Sequence, residues 1–305
     1  MNTLSFLPSV QAAKELFSLF SDLSFPKHRF CDYTGYNAWL WGEYLDAELL
    51  TVKSTKVLYR RMMDGTPTYT ALSAHHLCEE ELLRLSALAK AKGHPLCLFP
   101  LSEEEKEELL SRYPGAVAET SPDWRDYLYQ SSDLATFRGK KYNGQRNHLN
   151  RFRALYPEGA CVEICDQNRQ MALDFLSAFY GETPSTPPIE AEKKRLVALI
   201  ETAHFDGRDG LWGKVLTAEG KVVALSIGEV VGDTLFIHVE KALRDCRGAY
   251  QAVVSGFVSP FLSQGVEFVN REEDDGNEGL RTSKLSYHPV SLLEKWRVFL
   301  PSFEK

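Results

Sequence analysis

The sequence predicts an α/β (α+β) chain of two tandem units, each a mostly antiparallel sheet flanked by helices. Three observations lead there. The chain is 305 residues long, more than one hydrophobic core usually serves. Strand and helix signals alternate through residues 1–125 and again, more clearly, through 126–305. Hydrophobic residues make up 44% and charged residues 25%, with 17 Phe, 13 Tyr and 5 Trp to fill cores, a composition typical of folded globular chains.

In the first unit, residues 9–21 predict an amphipathic helix capped by Ser9, with Val10, Ala13, Phe17 and Phe20 at helical spacing. From Tyr36 to Leu72, aromatic and β-branched residues predict antiparallel sheet, with a turn at Asp64–Pro67 between VLYRRMM and TYTAL. Glu79–Lys92 is a helix by its stripe of Leu82, Leu85, Leu88 and Ala89, and Gly93 stops it. The buried strand Pro95–Phe99 follows. Ser102 and Glu105 then form a capping-box pattern that opens a helix ending near Tyr113.

The second unit opens on a basic linker helix within 138–156, where Tyr142, Leu149, Phe152 and Tyr156 face a core while Arg146, Asn150 and Arg153 share another side. Helices are predicted over 168–180 and 189–203. Three antiparallel strands follow, KVLTA, VVALSIGEV and TLFIHV, separated by turns at Glu219-Gly220 and Gly232-Asp233. A helix carrying Tyr250, Val253, Val254, Phe257 and Phe261 and the strand VEFV complete the pattern.

Charge and cysteine content narrow the function classes. Lys plus Arg number 35 against 42 Asp plus Glu, a formal charge of -7, which excludes a general nucleic-acid coat. Charge is nevertheless uneven: Arg138–Arg153 holds six basic residues and no acidic one, either a solvated face or a local anion site. The first ten residues carry no Lys or Arg, unlike a secretory signal, so a cytoplasmic location is expected. The longest uncharged stretch, Gly248–Val266, contains two Gln, three Gly and Pro260 and is expected to be a buried helix, not a transmembrane segment. Six scattered cysteines without a CxxC pair predict reduced thiols and no metal site, with Cys161 and Cys165 sharing one face of a strand. No cofactor is expected.

Four side chains are candidate catalytic groups. His238 and Glu240 stand two apart on a strand, so both are expected on one side, and an imidazole or carboxylate there can act as a general base. Lys284 and Tyr287, three apart, suit an oxyanion partner and a proton relay. The acids Glu272–Asp275 predict a solvated loop.

Three segments in order carry a resemblance. The first fills the pattern D-L-x4-G-K-K-x4-R-N-x4-F with Asp133, Gly139, Lys140, Lys141, Arg146, Asn147 and Phe152; the others are HVEKA with GAYQ, and NREEDDGNEGLRTSKLSYHP at Asn270–Pro289. Over Tyr127–Lys295 the chain resembles the C-terminal domain family of phosphatidylglycerol lysyltransferases, which has a tandem GNAT fold related to the Fem-type peptidyl transferases. The resemblance implies an acyltransferase that moves an aminoacyl group from the acceptor end of aminoacyl-tRNA to a small-molecule, peptide or lipid-headgroup amine or hydroxyl. It implies substrate contacts from Arg146, Asn147, Arg247, Tyr250, Gln251, Asn270, Arg271 and Glu272. Where GNAT acetyltransferases carry a Q/R-x-x-G-x-G/A loop for coenzyme A, this chain has Asp245 first and Tyr250 last, which disfavours a pyrophosphate. A coenzyme A-dependent N-acyltransferase and a non-catalytic ligand-binding protein stay as alternatives.

Overall fold

The computed structural model describes residues 10–22, 28–73 and 76–303. Ser9, expected to cap the first helix, lies outside them. The chain forms two compact units, one of residues up to Arg125 plus Leu293–Lys305, the other Asp126–Leu292.

The first unit contains α1 (Val10–Asp22), α2 (Gly35–Gly42), β1 (Glu48–Val52), β2 (Thr55–Arg61), β3 (Pro67–Leu72), α3 (Glu79–Ala91), β4 (Cys97–Leu101), α4 (Glu103–Arg112) and β5 (Val117–Thr120). Its sheet runs β1-β2-β3-β4, then the chain's last strand Trp296–Phe299, then β5. Only the β3–β4 neighbours are parallel. The capping box opens α4: Ser102 Oγ accepts from Glu105 N at 3.3 Å while Glu105 Oε2 accepts from Ser102 N at 2.9 Å.

Two expectations are corrected here. Gly35–Gly42 is helix, not sheet; Tyr36, Ala38, Trp39 and Leu40 are all buried, so the segment has no polar face from which a helical period could be read. Gly35 is required because a Cβ there would lie 2.5 Å from the Phe17 Cα of α1. The second correction is the boundary, since 126–305 is not one unit. Val298, fully buried, pairs with Leu98 on one side and Ala118 on the other, so the last strand fills the gap between β4 and β5. Buried Asp32 anchors this return through Lys295 at 2.6 Å and through Arg60. Burial alone would raise the Asp32 carboxyl, but the Lys295 and Arg60 charges hold it down at about 2.

The second unit runs β6 (Asp126–Gln130), α5 (Ser131–Thr136), α6 (Asn143–Leu155), β7 (Ala160–Glu163), α7 (Arg169–Gly181), α8 (Pro187–Thr202), β8 (Leu211–Ala218), β9 (Lys221–Val231), β10 (Thr234–Ala242), α9 (Ala249–Val258), β11 (Phe268–Asn270), α10 (Glu278–Leu285) and β12 (Ser291–Leu293). The sheet order is β12-β6-β11-β10-β9-β8-β7, with β10 and β11 parallel. Val253, Val254 and Phe257 of α9 share a core with Leu235 and Ile237 of β10. The basic helix is shorter than 138–156 and does not open the unit: β6 and α5 precede it, and Gly139, at φ +94°, separates it from them before a 3-10 turn at Lys140–Tyr142. Cys165 falls beyond β7 and so does not share a strand face with Cys161.

Candidate active site

The site grows from an irregularity in β10. Ile237 pairs with Gly228 and Val239 with Ile227, so His238 is an extra residue, a β-bulge. Gly228 permits it, because a Cβ there would come within 2.2 Å of the Phe236 carbonyl oxygen. The bulge shifts the alternation by one. Glu240, opposite Ser226, therefore falls on the face of Ile237, whereas the His238 ring bonds Glu229, which pairs with Phe236 on the other face. The expectation that His238 and Glu240 share a side is corrected: regular alternation holds only where the ladder is unbroken.

His238 is clasped by two carboxylates, Glu272 at Nδ1 and Glu229 at Nε2, each at 2.8 Å. An ionised carboxylate only accepts, so both ring nitrogens donate. Burial would lower the imidazole pKa, but the hydrogen bonds and charges of Glu229 and Glu272 outweigh it and raise it to about 9. The ring is thus an imidazolium at neutral pH and has no lone pair with which to take a proton.

On the other face, Arg271 Nη2 donates to Glu240 Oε1 at 2.6 Å, with both side chains less than a tenth exposed. The guanidinium lies 4.5 Å from the Tyr287 ring centre and 5.6 Å from that of Tyr129, two cation–π contacts that fix its plane. Glu240 Oε2 and Arg271 Nη1 are buried and have no hydrogen-bond partner among the described residues. Burial pushes the Glu240 carboxyl above its ordinary value, although the Arg271 and Lys284 charges pull the other way. Gln251 Nε2 donates to the Tyr287 hydroxyl at 3.0 Å, which leaves the phenol's own proton available for donation.

Lys284 holds this arrangement from below. Its ammonium donates to the carbonyls of Arg271 at 2.6 Å, Glu272 at 3.2 Å and Glu273, which uses its three protons. The acidic run is correspondingly not a solvated loop. Glu272 binds His238, and fully buried Asp274 accepts from the Tyr127 hydroxyl at 2.5 Å and from Arg281 at 2.7 Å. Asn270 ties β11 to β6 through Asp126 at 2.9 Å and accepts the Glu272 N–H at 2.6 Å.

Residues 27–299 match the family described as "Phosphatidylglycerol lysyltransferase, C-terminal". The chain belongs to that family. A crystal structure of a conserved protein of unknown function from Bacteroides thetaiotaomicron is similar at 28% identity and a TM-score of 0.82, covering 94% of this chain and 97% of that one. The structure of L-PGS from Bacillus licheniformis shares the fold at 12% identity and a TM-score of 0.65, over 96% and 92% of the two chains. An uncharacterised protein of Mycoplasmoides gallisepticum is 27% identical over 200 residues, 64% of this chain; the match spans 61% of that protein. Fold and family are those of acyltransferases, and among the described residues no helix is long and apolar enough to cross a membrane.

Within this lysyltransferase-family domain, Glu240, Arg271, Gln251 and Tyr287 come together, whereas Tyr250, next to Gln251 on α9, is exposed. His238 and Glu272 pair on the opposite face. Arg146 does not face the cluster: its guanidinium binds the carbonyls of Phe137 and Gly139, the latter at 2.7 Å, and Asn143 Oδ1. Asn147 and Arg247 are exposed. Gly248, at φ +84°, brings α9 against α6, where a Cβ would meet the His148 carbonyl oxygen at 2.2 Å. Sequence reading missed Glu229 and Tyr129. Glu229 had a signal, a single carboxylate in the otherwise apolar run VVALSIGEV; Tyr129, in an aromatic strand, had none.

Proposed function

We propose that the second unit transfers an aminoacyl group from an aminoacyl ester, most naturally on tRNA, to an amine or hydroxyl acceptor. The observation that carries this reading is the buried pair Glu240–Arg271, which keeps one acceptor and one donor without a hydrogen-bond partner among the described residues. Glu240 Oε2 takes the proton of the attacking amine or hydroxyl, and its raised pKa makes it a stronger base than an ordinary carboxylate. The nucleophile adds to the ester carbonyl, and Arg271 Nη1–H donates to the developing oxyanion. As the C–O bond breaks, Tyr287 protonates the leaving oxygen and recovers its proton from Glu240. The products are the acylated acceptor and the free hydroxyl of the donor.

This assignment revises two roles. Lys284 acts through the backbone it holds, and the oxyanion task passes to Arg271. His238, protonated on both nitrogens, is a positioning residue whose partner Glu272 adjoins Arg271. The exposed basic residues Arg138, Lys140, Lys141, Arg151 and Arg153 support an acidic, phosphate-bearing donor. The close approach of α6 at Gly248 argues against a coenzyme A cradle there, since a carbonyl oxygen beside that turn repels phosphate.

The test is transfer of a labelled amino acid from aminoacyl-tRNA to a panel of amine, peptide and lipid-headgroup acceptors, with acetyl-coenzyme A assayed in parallel. Transfer lost in Glu240→Gln supports the reading. Turnover with acetyl-coenzyme A alone, or no turnover with any donor, overturns it.

A further inference from the structure

A cavity of about 510 Å³ opens in the second unit, and its lining includes neither Glu240 nor Arg271. One wall is a face of α7, where Met171, Asp174, Phe175 and Ala178 follow at helical spacing and so project together. The β8–β9 turn forms another wall, and the segment leaving β10 closes the cavity with Leu243, Asp245 and Cys246. The volume falls within the range of roughly 300–1,000 Å³ typical of small-molecule sites.

Floor and mouth differ in chemistry. Phe175, Val222, Val223 and Cys246 are buried, and burial raises the Cys246 thiol pKa, so the floor is apolar and uncharged. The mouth carries three exposed carboxylates, Asp174, Glu219 and Asp245, against one ammonium, Lys221. A fourth carboxylate, Glu158, accepts the Glu219 N–H at 3.0 Å and adds to the negative field. Such a rim repels anions and contributes nothing to a neutral guest. A guest with an apolar body and a cationic head satisfies both parts.

We propose that this cavity is a second ligand site of the chain, which takes a cationic amphiphile: an apolar body seated on Phe175 and Val222, with a primary ammonium at the carboxylate rim. The site stands independently of the acyl-transfer reading, and either can fail without the other.

Three probes with the same chain length and different heads test it: octylamine, octanol and octanoate, titrated calorimetrically into the full chain at neutral pH. Octylamine is expected to bind at least about tenfold more tightly than octanoate, with octanol between them and the spread narrowing at high salt. Glu219→Gln combined with Asp245→Asn should bring octylamine to octanol's affinity and leave octanol unchanged. Ala178→Trp, at an exposed helix position, fills the cavity and should abolish binding of both, with an unchanged thermal melt showing that the fold is kept. Octanoate matching octylamine, octylamine failing to bind, or octylamine binding that survives Ala178→Trp would each overturn the proposal.

Discussion

Arg271 and Glu240 meet at 2.6 Å, yet each keeps one buried atom with no partner among the described residues, Nη1 on the arginine and Oε2 on the glutamate. A buried ion pair kept only for stability would be expected to satisfy its remaining atoms, because each orphan carries a desolvation cost of about 1–3 kcal/mol. Glu240→Gln keeps the shape and removes the base, and the expected result is a fall in kcat of about 10²–10⁴-fold in aminoacyl-transfer assays. Arg271→Lys keeps the charge but loses the planar fork, and kcat should fall about 100-fold.

His238 makes stability depend on alkaline pH. Its folded pKa, about 9, lies above the ordinary 6.5, so the stabilisation is full below pH 6.5 and is lost as pH rises through 9. The difference corresponds to about 3 kcal/mol at most. Urea denaturation between pH 7 and pH 10 should show wild-type stability falling toward that of His238→Gln, whose own profile stays flatter. Parallel profiles for the two proteins would remove the imidazolium assignment.

Lys284→Met strips three carbonyls of their donor and should lower unfolding stability by about 3 kcal/mol. Since the ammonium points at backbone, the loss of activity should track the loss of folded protein and the displacement of Arg271. A variant that melts like the wild type yet is inactive would return Lys284 to the reacting centre.

Gly228→Ala probes the bulge. The added methyl meets the Phe236 carbonyl oxygen, and the expected cost is about 1–3 kcal/mol by chemical denaturation. The same change should shift the pH profile assigned to His238, because it moves the bulged residue.

Deleting residues 293–305 should destabilise the first unit, since the last strand lies between β4 and β5. Hydrogen exchange of β4 and β5 amides is the readout, with faster exchange in the truncated chain expected and unchanged protection the contrary result.

Much of the architecture was legible in the residues themselves. The capping box at Ser102 and Glu105, the turn at Asp64–Pro67 and the turns that separate β8, β9 and β10 are local, so neighbouring residues suffice to specify them. The motif at Asn270–Pro289 marked the family and held Arg271, Lys284 and Tyr287. Other features depend on contacts distant in sequence. Whether Lys284 stabilises an oxyanion or holds a loop depends on which carbonyls surround it, and the return of the last strand between β4 and β5 depends on pairing across the chain. The face on which Glu240 stands depends on the bulge at His238, set by Gly228 and the ladder between two strands. The sequence by itself therefore determined the elements, the family and the reactive residue types; only the tertiary structure decided their protonation, their partners and their sides, because these arise from burial and long-range pairing.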